Sequence, residues 1–157
     1  MGYAVVFREM ALDELKRRLH EDATVAAFVA AGGGDATPEV GDAVVRIVLG
    51  QGRELGALDH SSSGGDWFRE ELFGETIASV LGDDLAWHLL ERPLEGITWP
   101  EYPSIGWVTN TELREALARR GELPGDLDDD DAEAVQDVVS AVERAAKSGS
   151  DLVTVYA

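Results

Sequence analysis

The chain has 157 residues, no Cys, and 31 Asp and Glu against 13 Lys and Arg, for a formal net charge of -18. Without Cys there can be no disulfide, no zinc–thiolate centre and no thiol nucleophile. A surface this acidic repels nucleic-acid phosphates and anionic lipid, and it favours basic partners. The length suits one domain over residues 1–157, with a core large enough to need no covalent staple. No window reaches the ~18 apolar residues that a membrane span requires. The opening MGYAVVFREM lacks the basic leader and long apolar run of a signal peptide, so a cytoplasmic location is expected.

Tyr3 to Arg8 is β-branched and aromatic and predicts a buried strand. Leu12, Leu15 and Leu19 recur at helical spacing, with Lys16, Arg17 and Arg18 on the wet side. A second apolar patch, Val25, Phe28 and Val29, ends at Gly32–Gly34, which reads as a flexible surface loop. The run Val40–Leu49 suits a buried strand by composition. Thr37 as cap and Pro38 at the first helical position favour a helix instead, ended by Gly50 and Gly52.

Leu55 to Gly65 shows no periodicity and reads as a loop. Asp66 is positioned to cap a helix to about Leu81, with Phe68, Leu72, Ile77 and Val80 inward. Gly82 stops that helix. Asp83 starts a shorter one through Leu85, Trp87, Leu89 and Leu90, with Trp87 beside the core, and Pro93 closes it.

Gly96 to Tyr102 is irregular, because Pro100 and Pro103 forbid a helix there, and Ser104–Val108 predicts a strand. Thr109 and Glu112 form a capping-box pair for the next helix, which ends at Gly121. The acidic loop Gly125–Asp131 leads to the last helix. Val135, Val138, Val139, Val142, Ala145 and Ala146 keep one face along it, and a closing strand Asp151–Tyr156 follows. The expected class is α+β: a helix-rich single domain with one small sheet built from the N-terminal, central (104–108) and C-terminal (151–156) strands.

Three features together resemble the YfbM-type family of small bacterial proteins. They are the start Met1-Gly2-Tyr3 running into a Leu12-Asp13-Glu14-Leu15 helix, the Trp87-centred AWHLL helix, and the C-terminal half from Gly106-Trp107-Val108-Thr109 to Asp151–Tyr156. The resemblance implies a compact α+β fold and a bacterial source. It carries over no catalytic residue.

Motifs with chemical meaning are weak. Asp59-His60-Ser61 places triad residue types side by side, but a triad needs them converging in space. Gly50-Gln51-Gly52 opens a GxGxxxG, which lacks the dinucleotide spacing. Asp126, Asp128 and Asp130 match calcium-loop positions 1, 3 and 5. Asp131 stands where that loop needs Gly, and Asp137 where it needs Glu. The same acids suit the positive end of the last helix, with Asp130 and Glu133 as a capping box. No His pair has metal-ligand spacing. No cofactor or metal is therefore expected.

What remains is a binding signature. Trp99, Glu101, Tyr102 and Trp107, with the acidic run Asp128, Asp129, Asp130 and Asp131, are candidate contacts for a basic protein partner, and a cationic toxin is the sharpest case. Trp87 and His88 are candidates for a pocket, which would suit a small-molecule or cation-binding domain instead.

Overall fold

Strand β1 (Gly2–Met10) forms at the expected place and runs two residues past Arg8. The computed structural model describes residues 2–157. It pairs β1 on one side with β3 (Arg53–Ser61) and on the other with β6 (Asp151–Tyr156), which in turn pairs with β5 (Ser104–Val108). The sheet is antiparallel throughout, in the order β3–β1–β6–β5. A second, two-stranded parallel pair joins β2 (Gly34–Asp35) to β4 (Ile97–Thr98).

Alternation along the strands sends side chains to two cores. On one face Val153, Val155 and Ile105 meet α1 (Leu12–Glu21), α2 (Ala23–Ala30) and α3 (Pro38–Leu49) through Leu15, Leu19, Val25, Val44 and Val48. On the other face Val5, Phe7, Leu152, Tyr156 and Val108 meet the remaining helices. The longest of these is α7 (Asp129–Lys147), whose Val135, Val138, Val139, Val142 and Ala145 are buried as their spacing requires. Each such Val contributes roughly 1.5–3 kcal/mol relative to exposure. The result is the expected helix-rich α+β fold, with two helical layers enclosing the sheet. Among the described residues no helix is long and apolar enough to cross a membrane.

The caps explain most helix starts. Thr37 accepts from the Val40 amide at the head of α3, where Pro38 sits in the first turn. Thr109 and Glu112 form the capping box of α6 (Asn110–Ala118). One start is capped from far away in sequence. Ala11 offers α1 no hydrogen-bonding side chain, and the Asp151 carboxylate accepts from Leu12 N at 2.7 Å while its other oxygen accepts from Asn110 N at 2.8 Å. A single carboxylate thus serves the first turns of α1 and α6, on opposite sides of the sheet.

Five expectations need correction. Of the expected loop Leu55–Gly65, the part up to Ser61 lies in strand β3 of the main sheet, because the free side of β1 recruits it despite a sequence without β-branched residues. The Gly32–Gly34 loop is not free: Gly34 N donates to Gly96 O, and a Cβ on Gly33 would lie 2.5 Å from that oxygen. Asp66 caps nothing, since its own backbone is already helical. The helix after it, Trp67–Ile77, is a π-helical run in which Ala78 N reaches back five residues to Phe73 O. It continues as α4 (Ala78–Leu81). The cap of α7 is Asp128, which accepts from Asp131 N at 2.8 Å, not Asp130 with Glu133. Trp87 on α5 (Asp83–His88) is 45 % exposed and not beside the core, while Leu85, Leu89 and Leu90 are buried.

Candidate functional site

The segment from α5 to β5 is bound to the sheet by its backbone. A Cβ on Gly106 would lie 2.3 Å from His88 O and 2.5 Å from Thr154 Oγ1, so only Gly lets the end of α5 rest on β5. Three carbonyls there find partners. Thr154 Oγ1 donates to Leu89 O at 2.7 Å, Ser104 Oγ donates to Leu90 O at 2.9 Å, and Arg92 N donates to Ile105 O at 2.9 Å. The two Trp rings that follow lock the turn: Trp99 Nε1 donates to Arg92 O at 2.9 Å and Trp107 Nε1 to Pro93 O at 3.0 Å.

Two arginines lie on aromatic faces nearby. Arg92 stacks over Trp107 at 3.6 Å, donates to Trp107 O at 3.1 Å and pairs with Glu112 at 3.0 Å. Arg69, from the π-helical run, lies 5.2 Å over Trp87 and 5.9 Å over Tyr156, and pairs with Glu91 at 3.1 Å. Burial works to raise the Glu112 carboxyl. The Arg92 guanidinium and the Thr109 amide and hydroxyl outweigh it and hold the group below the ordinary carboxylate value. Burial, aided by Arg92, pushes His88 below the ordinary imidazole value and so favours its neutral form.

Behind these residues lies a buried polar pair. Ser61 O can only accept, so His60 Nδ1 donates to it at 2.7 Å, and in the neutral ring Nε2 accepts from the Tyr156 hydroxyl at 2.6 Å. Burial first, and then Tyr102, raises the Tyr156 phenol above its ordinary value. Tyr102 packs edge-on against Tyr156 at 4.7 Å and tilts against Tyr3 at 4.6 Å.

These groups surround two adjoining clefts. One, of about 570 Å³, is lined by Tyr3, Arg69, Glu91, Trp99, Pro100, Glu101, Tyr102 and Ser104. The other, of about 350 Å³, is lined by Trp87, His88, Arg92, Pro93, Asp35 and Thr98, and it shares Glu91, Trp99 and Pro100 with the first. A third, of about 470 Å³, opens between α5 and α6 beside His88 and Glu112. Tyr102 is 40 % exposed and, like Trp87, offers its ring at the cleft mouth.

The structure thus brings five of the candidate residues together: Trp99, Glu101 and Tyr102 in the first cleft, Trp87 and His88 in the second. Trp99 is only 6 % exposed and forms the floor beneath them, so its ring packs inward and is not a surface contact. Trp107 is half-buried under Arg92 and lines neither cleft. Asp128, Asp129, Asp130 and Asp131 belong to the start of α7 and line none of the three clefts. Sequence reading missed Tyr3, Asp35, Arg69, Glu91 and Arg92, which arrive from four separate stretches of chain. Among the described residues no group of three or more His, Cys, Asp or Glu is placed to hold a metal ion.

No protein-family model, no curated protein and no solved structure matches this chain.

Proposed function

We propose that this chain is a non-enzymatic, cytoplasmic bacterial binding protein that engages a basic protein partner through its twin clefts. The observation that carries the reading is the exposure of Trp87 and Tyr102 beside Glu91, Glu101 and Asp35, in a protein of net charge -18. Aromatic rings are the commonest anchors of protein interfaces, and carboxylates at the rim steer a cationic partner into register. In the sharpest form of the proposal the partner is a cationic toxin that the chain neutralises. Kinship with the YfbM-type proteins is part of the same proposal and assigns no activity of its own.

The test is capture from the native host on the immobilised chain, followed by kinetics on the purified partner. One dominant partner of net positive charge is expected, with an association rate that falls as salt rises. Recovery of the chain alone at low salt, or association indifferent to salt, would overturn the proposal.

A second reading, a small-molecule or cation-binding domain, is favoured by the size of the larger cleft, about 570 Å³, which lies within the usual ligand-pocket range. A ligand of that kind raises the melting temperature in a thermal-shift screen with metals and metabolites.

A further inference from the structure

The two clefts flank one ridge, Pro100, which stands on the Trp99 floor, and they share Glu91 as a common wall. Each also has a carboxylate of its own. No Arg, Lys or His pairs with Glu101 or Asp35 among the described residues. Asp35 is held in place by Thr98, whose hydroxyl donates to it at 2.6 Å. In the larger cleft Arg69 and Glu91 pair with each other, which leaves Glu101 as the unpaired charge, so the cleft favours a cation over an anion.

We infer that the twin clefts seat an extended segment of the basic partner, with one Arg side chain against Asp35 and the exposed part of Trp87 and a second against Glu101, Tyr102 and Tyr3, on either side of Pro100. The inference rests on the basic-partner reading above and specifies its chemistry. The protein already shows this mode of contact with its own residues, since Arg92 stacks on Trp107 and Arg69 on Trp87. A guanidinium suits the site better than an ammonium, because it can stack on a ring and bind a carboxylate with two parallel bonds at once. The ridge is rigid before binding: Trp99 is anchored by its bond to Arg92 O, and its neighbour is a proline. A partner therefore meets a preformed surface and loses little free energy to ordering it.

The test uses the full chain and a fluorescein-labelled peptide carrying Arg-Ser-Arg between Gly-Ser flanks, read by anisotropy at physiological salt. The variants are Trp87→Ala and Glu101→Gln, both exposed positions. The control is Asp129→Asn with Asp130→Asn, which removes two charges from α7. Trp87→Ala should weaken the peptide at least tenfold, Glu101→Gln about threefold and the control less than twofold. In the unaltered chain, the indole N–H resonance of Trp87 should move on peptide addition.

Equal loss in cleft and control variants would show a general charge effect and overturn the inference. So would a Trp87 resonance that stays still at saturation, or spermine binding as tightly as the peptide. The two proposals fail separately. A captured basic partner that binds both cleft variants as tightly as the parent chain removes the twin-cleft inference and leaves the basic-partner reading intact. If no basic partner exists, both are lost.

Discussion

The segment 87–110 and the acidic turn 125–134 are both rich in groups that could meet a cation, yet they are held in opposite ways. The first is fastened by bonds that reach well along the chain: Ser104 to Leu90 O, Thr154 to Leu89 O, and Arg92 to Glu112 across 20 residues, with Trp99 to Arg92 O closing the turn within it. The second is held locally, by the Asp128 side chain on the Asp131 amide three residues on. Its carboxylates serve the start of their own helix. The same residue type therefore lines a cleft in one region and ends a helix in the other. The electrostatics follow suit: Glu112 is held below its ordinary value, while Asp131 is pushed above its own by burial and then by Asp128 and Asp130.

Five substitutions sharpen the contrast, from the most damaging to the least. Gly106→Ala places a Cβ against the backbone of His88 and Leu89, and should cost about 3 kcal/mol or more in chemical denaturation. Trp99→Phe leaves Arg92 O without its donor and a gap in the floor, and should cost about 2 kcal/mol by the same measurement. Asp128→Ala removes only a helix cap and should cost about 1 kcal/mol, with the segment 87–110 unchanged by hydrogen exchange.

Glu112→Gln tests the pH dependence of the first region. Because the folded carboxyl lies below its reference of 4.5, its contribution is complete above that pH and is lost as pH falls through the lowered folded value. The variant should therefore lose stability at neutral pH and show a shallower decline below pH 4.5 in a urea–pH series. Asp130→Asn has the smallest expected effect: relieved of one neighbour, Asp131 should titrate closer to its reference of 3.8 by NMR. A second region that responded to these changes as strongly as the first would break the comparison.

Legibility in the sequence follows the same division. The α7 stripe, the Thr37 cap and the Thr109–Glu112 box are local patterns, and they were readable because a helix satisfies its own backbone. Strand β3 was not readable: Arg-Glu-Leu-Gly-Ala-Leu-Asp-His-Ser carries little strand preference, and its conformation comes from pairing with β1. The π-helical run left a faint trace, since Phe68 and Phe73 stand five residues apart where an α-helix repeats at three or four. Of the clefts, the aromatic wall was visible as a cluster of Trp and Tyr between residues 87 and 107. Arg69 and Glu91 lie 22 residues apart, and no local pattern pairs them.

The place of β6 has a consequence for the order in which the molecule can be built. It lies between β1 and β5 and follows every other strand in the chain. While the ribosome adds roughly 5–20 residues per second, the antiparallel pair β1–β3, joined through α1, α2, β2 and α3, can form before β5 is made, and β5 must then wait without a neighbour. The Asp151 carboxylate that caps α1 and α6 arrives with the same strand. Until residues 151–156 emerge, a nascent chain holds two halves of a sheet, an uncapped α1 and an Asn110 amide without its acceptor, and all are repaired in one step.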